Sequence, residues 1–155
     1  MTKLSNNIEL KIEKSSQTII EKFIEEVSDK LMINETYFGN LLLGINGMFS
    51  LMLENQPNTH VDIGYTTDYQ YINIIFTGVS RETTTLFNKL PDEISENENL
   101  FTVVNLTDKI TTEENRLVLV FYIGAMNHKI YDYRRSILNK YFFGQTSIKP
   151  HKSYD

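Results

Sequence analysis

Residues 8–31 read IELKIEKSSQTIIEKFIEEVSDKL, and the spacing of the apolar residues changes within this stretch. Every second residue from Ile8 is at first apolar, which predicts a half-buried β-strand. From Ile19 onward the apolar residues recur every three or four positions, which predicts an amphipathic helix. Ser16 or Thr18 is placed to cap this helix, the latter in a capping box with the glutamate three residues later. A strand followed by a helix therefore opens the fold.

A second helix follows, with Asn34 placed as its cap and apolar residues at helical spacing. The sequence NQPN at residues 55–58 is expected to end it. Gly44 and Gly47 lie inside this helix, where each glycine costs about 1 kcal/mol relative to alanine. The two glycines indicate either close packing or a tolerated decay of the sequence.

The next segments predict a hairpin, a connection, a helix and a strand. Residues 61–65 and 71–76 are rich in β-branched and aromatic side chains, which predicts an antiparallel hairpin. Residues 80–99 carry few apolar side chains and predict a short helix or loop followed by an acidic connection. Residues 100–106 favour a helix, and residues 116–122 predict a strand that is apolar on both faces.

The strand at residues 116–122 is expected inside the sheet and under helices, so aspartate in place of Val118 is expected to unfold the domain. A last helix is predicted over residues 131–142. Its apolar face comprises Ile130, Tyr133, Ile137, Leu138 and Tyr141, and its basic residues are Arg134, Arg135 and Lys140. This order of elements predicts the α/β class: a two-layer α/β sandwich in which helices cover one face of a mixed, mostly antiparallel sheet.

The composition is that of one ordinary globular domain of 155 residues, with 41% hydrophobic and 23% charged residues. The chain has no cysteine, which excludes a disulfide framework, a thiolate zinc site and a cysteine nucleophile. The apolar runs are short of the roughly 20 residues that a membrane span requires, and the polar residues 1–9 do not resemble a secretory signal. We therefore expect a cytoplasmic protein that does not cross a membrane.

The charge is unevenly distributed along the chain. Residues 1–125 hold nine basic against 18 acidic residues, whereas residues 126–155 hold six against two. An acidic body argues against binding to nucleic acid. The basic tail is expected either to face water and the domain's own acidic surface or to contact an acidic partner.

The candidates for a chemical site are few. The three histidines lack the spacing of a helical zinc site, and no Gly-x-Ser-x-Gly elbow occurs, so neither a metal site nor a hydrolase is predicted. Tyrosines are enriched at binding surfaces. The candidates for binding a partner protein are Tyr131, Tyr133, Arg134, Arg135 and Lys140.

Residues 19–27 (IIEKFIEEV) and 33–43 (INETYFGNLLL) resemble the opening of ATPases of the anti-sigma-factor serine kinase type, which belong to the GHKL superfamily with the gyrase and histidine-kinase ATP-binding domains. The resemblance extends over nearly all of residues 8–122. It implies a histidine-kinase-like ATPase domain at residues 1–125. Residues 126–155 would then be a basic helix and tail that pack on this domain or extend from it.

The nucleotide motifs of that family are degenerate in this sequence. The N box, Glu-x-x-x-Asn-x-x-x-His, falls on a segment with glycine, serine and asparagine, and the Asp-x-Gly-x-Gly and Gly-x-Gly motifs have no counterpart. The resemblance assigns six positions to the degenerate nucleotide pocket: Asn46, Gly47, Ser50, Asn55, Ser80 and Glu98. Glu98 would repel a phosphate.

The resemblance implies a non-catalytic bacterial regulatory module without a cofactor, which binds a protein partner. The partner could be a component of sigma-factor signalling or a second copy of the chain, because kinases of this type commonly dimerise. The alternative is a divergent kinase or nucleotide sensor that binds Mg-ATP or Mg-ADP in a pocket rebuilt with Asn46, Asn55 and Ser80.

Overall fold

The computed structural model describes residues 5–67, 70–124 and 128–144. The helices and strands in chain order are β1 (Ser5–Lys11), α1 (Gln17–Leu31), α2 (Glu35–Asn55), β2 (His60–Thr67), β3 (Tyr71–Thr77), α3 (Arg81–Thr84), α4 (Pro91–Ser95), α5 (Glu98–Leu106), β4 (Lys109–Glu113), β5 (Arg116–Tyr122) and α6 (His128–Gly144). Short 3-10 turns precede α1 and follow α3.

The five strands form one antiparallel sheet in the order β1-β2-β3-β5-β4. One face of this sheet, the inner face, packs with buried residues of α1, α2 and α5 in a single apolar cluster. The buried residues that the inner face contributes include Leu10, Ile63, Phe76, Leu117, Leu119 and Phe121. The predicted two-layer α/β sandwich is confirmed.

The two predicted helix starts have different outcomes. The side-chain Oδ1 of Asn34 accepts the backbone N–H of Tyr37 at 3.2 Å, which confirms the cap of α2. The capping box at Thr18 is wrong, because α1 begins one residue earlier, at Gln17, after a 3-10 turn. The other candidate, Ser16, occupies the N-cap position, although its side chain makes no capping hydrogen bond. The hydroxyl of Thr18 instead donates to the carbonyl of Ser15 at 3.4 Å.

Two segments between β3 and β5 differ from expectation. The acidic connection is helical over Pro91–Ser95, because the proline suits a first helical position and the Glu93 carboxylate accepts the N–H of Leu90 at 3.1 Å. The sequence did not predict β4, whose one inward apolar residue is Ile110. This edge strand pairs with β5 alone.

By length and composition α2 would suffice to cross a membrane, although 61% of its apolar stretch is buried inside the fold. The helix lies between the sheet, α1, α5 and α6. Its apolar character on several sides is therefore the character of a central core helix.

The strand β5 lies between β3 and β4, as expected, but its two faces differ in environment. Leu117, Leu119 and Phe121 are buried under the helices, whereas Val118 and Val120 are half-buried on the opposite, outer face of the sheet. The expectation that Val118 lies under helices is wrong, since alternate side chains of a strand point to opposite faces.

This difference between neighbouring residues predicts opposite outcomes for two aspartate substitutions. Leu119 is completely buried, so Leu119→Asp is expected to unfold the protein, because an unpaired buried charge costs several kcal/mol against a total stability of about 5–15 kcal/mol. Val118→Asp is expected to keep a cooperative unfolding transition. Circular dichroism during heating measures both, and unfolding of both variants would contradict the assignment of the two faces.

Candidate functional site

The six positions of the degenerate pocket lie on three elements. Four of them are in α2, where Asn55 is the last residue, while Ser80 caps α3 and Glu98 begins α5. Ser80 and Glu98 line two different cavities. The structure therefore distributes these positions over separate surroundings.

At Gly47 the helices α2 and α5 are in direct contact. A Cβ atom at Gly47 would lie 2.9 Å from Cγ2 of Val103 and 3.3 Å from the carbonyl oxygen of Asn99. Close packing, rather than sequence decay, is thus the explanation that the structure supports for this glycine. No side chain the size of a glutamate fits here without moving α5.

Gln56, the residue that follows α2, holds the polar groups beyond β3. Its amide is only 4% exposed and makes four hydrogen bonds. It donates to the carbonyl of Gly78 and to the hydroxyl of Thr59, both at 3.0 Å, and it accepts the N–H of Ser80 at 2.8 Å and the hydroxyl of Thr83 at 2.9 Å. All donors and acceptors of the amide are satisfied.

Two candidate pocket residues therefore have structural partners. The N–H of Ser80 bonds to Gln56, and its hydroxyl accepts the N–H of Thr83 at 3.3 Å, which caps α3. The side-chain amide of Asn55 donates to the carbonyl of Leu51 at 2.8 Å, inside its own helix. These contacts engage polar groups of Ser80 and Asn55, two residues that the nucleotide-sensor alternative expects to contact the nucleotide.

Asn46 and Ser50 are half-buried on α2. The Oδ1 atom of Asn46 is buried and has no hydrogen-bond partner within the described residues.

A groove between α5 and α6 brings together residues from both sets of sequence candidates. It has a volume of about 460 Å³, and we name it the α5–α6 groove. Its lining residues are Glu98, Phe101, Tyr133, Ser136, Ile137, Lys140 and Tyr141. The groove thus unites Glu98, a predicted pocket residue, with Tyr133 and Lys140, two predicted partner residues.

The position of α6, one wall of the groove, is fixed by an ion pair of the buried residue Arg134 and by hydroxyl contacts. Nη1 of Arg134 donates to Oδ1 of Asp108 at 3.1 Å, and its Nε donates to the carbonyl of Asn105 at 3.2 Å. The hydroxyls of Thr102 and Tyr141 lie 2.7 Å apart. Apolar contacts join Leu106 of α5 to Ile137 and Leu138 of α6.

Arg134 is only 6% exposed, so its assignment to a partner surface is wrong. The helix pattern alone predicted an exposed Arg134 side chain. It is buried because the carboxylate of Asp108, outside this helix, pairs with it. Tyr133, predicted on the packed face, is 48% exposed, and its hydroxyl donates to Oδ1 of Asn105 at 3.3 Å. Arg135 and Lys140 are exposed, whereas the side chain of Tyr131 lies outside the described residues.

A second cavity, of about 530 Å³, lies at the end of the sheet beside α3. Its lining includes Ser80, Arg81, three threonines, Glu113 and Glu114. Within the described ranges no group of three or more histidine or acidic side chains could hold a metal ion.

No protein-family profile matches this chain, and no curated protein matches it.

Sequence reasoning missed Gln56, which bonds to the polar groups beyond β3, and Asp108, which pairs with Arg134 of α6. Gln56 was considered only as part of the sequence NQPN that is expected to end the second helix, and no local pattern identifies the four partners of its amide. Asp108 follows a predicted helix without any periodicity of its own.

The ion pair between Arg134 and Asp108 leads to a prediction about the attachment of α6. Arg134→Ala is expected to lower the free energy of unfolding by about 2 kcal/mol, less than the roughly 3–5 kcal/mol of a fully buried pair, because the Asp108 side chain is 22% exposed. Arg135→Ala, the exposed neighbour, is the control and should be nearly neutral. Urea unfolding measures both, and equal effects would contradict the docking of α6 through Arg134.

The contact at Gly47 leads to a prediction about two facing residues. Gly47→Ala is expected to destabilise the protein, because overpacking costs about 1–3 kcal/mol and exceeds the roughly 1 kcal/mol gained from helix propensity. In a Val103→Ala background the new methyl group has room, so the same substitution should become neutral or stabilising. An equal effect of Gly47→Ala in both backgrounds, measured by urea unfolding, would show that the helices are not in contact here.

Proposed function

We propose that this protein is a non-catalytic, cytoplasmic regulatory module on a histidine-kinase-like ATPase scaffold, and that it binds a protein partner in the α5–α6 groove. The partner class that the sequence resemblance favours is a component of a sigma-factor or other partner-switching pathway. The observation that carries the proposal is the contact at Gly47, which occupies the space between α2 and α5, while an open groove with aromatic side chains lies on the other side of α5.

The absence of catalysis is supported by the chemistry of the α2 and α5 positions. Phosphoryl transfer depends on positioning and charge compensation by oxygen ligands, cations and backbone N–H groups. Gly47 has no side chain, and Glu98 places a carboxylate in the first turn of α5. A carboxylate there interacts favourably with the helix dipole and repels a phosphate.

The α5–α6 groove has the features of a site for a protein segment. Phe101 is half-buried and Tyr133 is 48% exposed, so both rings can contact an incoming side chain. Aromatic residues are enriched in the centres of protein interfaces. Glu98 and Lys140 add one charge of each sign, which can orient a partner without attracting polyanions.

The test of this proposal compares groove variants in capture from the native cytosol. The protein and its variants Phe101→Ala and Tyr133→Ala are immobilised, and the bound proteins are quantified by mass spectrometry. The captured amount of any protein that binds in the groove should fall by tenfold or more with either variant, since interface hot spots contribute about 2 kcal/mol or more.

Ile19→Ala is the matched control, because Ile19 is a 49% exposed apolar residue on α1. It should retain the captured protein. A partner held by the aromatic rings should also remain bound when the immobilised protein is washed with about 1 M salt, where the screening length is about 3 Å. If the unmodified protein and the three variants capture the same proteins equally, binding in the groove is contradicted. If captured proteins are lost only in the high-salt wash, binding is assigned to Arg135 and Lys140.

The nucleotide-sensor alternative has one observation in its favour. The cavity beside α3 is lined by Ser80 and Arg81, among other residues, and its volume of about 530 Å³ is within the usual range of ligand pockets. Glu113 and Glu114 oppose an anion in the same cavity.

Calorimetric titration with Mg-ATP and Mg-ADP separates the two functions. The leading proposal predicts no binding at micromolar concentrations, because a unit charge 4 Å from a phosphate costs about 4 kcal/mol at an effective dielectric of 20. Micromolar binding that Arg81→Ala abolishes would instead establish the alternative. Thermal unfolding is the second readout, since a ligand at 100 times its Kd adds about 2.7 kcal/mol of stability.

A further inference from the structure

The strand β4 is an edge strand of the sheet, and its free side is open. It pairs with β5, and no other described element lies extensively against it. An edge strand directs the N–H and C=O groups of alternate residues away from the sheet, where another strand can bind them. The central residues of β4, at positions 110–112, are all β-branched, and no proline interrupts the strand. β4 can therefore accept a further strand.

The other edge strand, β1, is less suited to this role. Its pairing with β2 is irregular between Ser5 and Ile8. An irregularity of this kind twists an edge away from an incoming strand. The pairing of β4 with β5 continues without a shift from Lys109 to Glu113. The regular edge of the sheet is thus β4.

Two cavities follow β4 along its length. A cavity of about 320 Å³ lies beside Lys109, Ile110 and Thr112, and the cavity of about 530 Å³ near α3 extends from Thr112 to Asn115. The two cavities meet, because Asn88 and Thr112 line both. We name the combined space the β4 channel.

The β4 channel is apolar at one end and charged at the other. The smaller cavity is lined by four half-buried apolar side chains, which are Phe87, Ile94, Val104 and Ile110. The lining of the larger cavity includes two glutamates, Glu113 and Glu114, but one arginine, Arg81. An occupant that matches the channel therefore carries apolar side chains toward the first end and a positive charge toward the second.

The strand register shows how an added strand would use this space. One row of the inner face crosses four neighbouring strands and contains Ile63, Phe76, Leu117 and Thr112. The first three side chains are completely buried, whereas Thr112 is exposed. The helical layer thus leaves the row uncovered at its β4 end. A side chain on a sixth strand would continue the row into the channel.

We propose that an extended segment of a partner protein binds in the β4 channel as a sixth strand of the sheet, with apolar side chains at alternate positions. Backbone hydrogen bonds to β4 give the affinity, and the channel selects the alternate side chains. The segment is antiparallel to β4, which continues the pattern of this sheet and is the more stable pairing. Its N-terminal end then carries a basic residue beside Glu113, and its C-terminal end an acidic residue beside Lys109.

A second copy of this chain fits the channel less well. Two β4 strands paired about Thr111 would match their terminal charges. They would also place Thr112 of one copy beside Ile110 of the other, at the apolar end of the channel. The helices α3 and α4 of the second copy would approach those of the first on the same side of the joined sheet. A segment without its own helical layer meets neither obstacle.

The β4 channel and the α5–α6 groove have no lining residue in common. The inference therefore goes beyond the proposed function and does not rest on it.

The first experiment titrates a blocked probe peptide, Lys-Val-Thr-Val-Glu, into the full chain labelled with ¹⁵N and records the amide chemical shifts. In register with β4, the valines of the probe lie beside Thr112 and Ile110. A Kd of about 1 mM or tighter is expected, with the largest shifts in β4 and at Phe87 and Asn88. A weaker Kd, or largest shifts in β1 or in the α5–α6 groove, would overturn the proposal.

Two N-methylated probes test the strand pairing without altering the protein. One carries methyl groups on the backbone nitrogens of both valines, and the other on those of the threonine and the glutamate. Only alternate N–H groups of an added strand face its neighbour. One methylated probe should therefore bind about tenfold or more weakly, and the other like the unmodified probe. Equal effects of the two would exclude strand addition.

Charge reversal tests the orientation of the segment. Lys109→Glu should weaken binding of the probe about threefold, and a probe with lysine in place of its final glutamate should recover the loss. Lys30→Glu, at an exposed position of α1, is the matched control and should bind the probe like the unmodified protein. A loss that the altered probe does not recover, or an equal loss in the control, would contradict the antiparallel register.

Sedimentation equilibrium of the protein with and without the probe tests the remaining occupant. If strand addition by a partner segment is correct, the probe leaves the oligomeric state of the protein unchanged. A dimer that the probe dissociates would assign the edge of β4 to a second copy and overturn the proposal.

Discussion

The close approach of α2 to its neighbours is the constraint on which the interior of this fold depends. At Gly39 a Cβ atom would lie 2.8 Å from Leu138 of α6, at Gly44 it would lie 2.9 Å from the ring of Phe121 in β5, and at Gly47 it would lie 2.9 Å from Val103 of α5. Each glycine costs an isolated helix about 1 kcal/mol. In return, three elements approach α2 closely enough to bury Leu138, Phe121 and Val103 against it.

This packing determines what remains available at the surface. Since α5 lies against Gly47, and Gln56 accepts the N–H of Ser80, two of the positions that the resemblance assigns to a nucleotide pocket are engaged within the chain. A protein whose polar groups are satisfied by a ligand gains stability when the ligand binds. Under the proposed function, the hydrogen bonds of Gln56 satisfy these polar groups without a ligand. Binding of the partner protein would then not depend on nucleotide.

The sequence predicted the elements whose patterns are local. The strand from Ile8, both long helices and the hairpin follow from periods of two and of three to four, and the cap at Asn34 follows from its side chain. Elements that depend on distant partners could not be predicted. The edge strand β4 is polar except for Ile110 and is ordered by pairing with β5, and the four bonds of Gln56 join residues up to 27 positions apart.

The candidate site was predictable to the same extent. Residue type identified Tyr133 and Lys140 as candidates, and both line the groove. The prediction failed at Arg134, where hydrophobic periodicity treats every cation as a surface residue. A guanidinium can be buried when a carboxylate accepts it, and Asp108 is 26 residues away in the sequence. Helical periodicity reports only the local sequence and cannot reveal such a distant partner.

Asp108 also connects the α5–α6 groove to the sheet. Its Oδ1 accepts the guanidinium of Arg134 in α6, and its Oδ2 accepts the N–H of Tyr122 at the end of β5 at 2.7 Å. One carboxylate thus connects the wall of the α5–α6 groove to β5. Communication between two sites requires an element with two arrangements, and Asp108 instead holds α6 and β5 in one. The connection therefore favours a rigid scaffold, in which α6 and the end of β5 keep one relative arrangement.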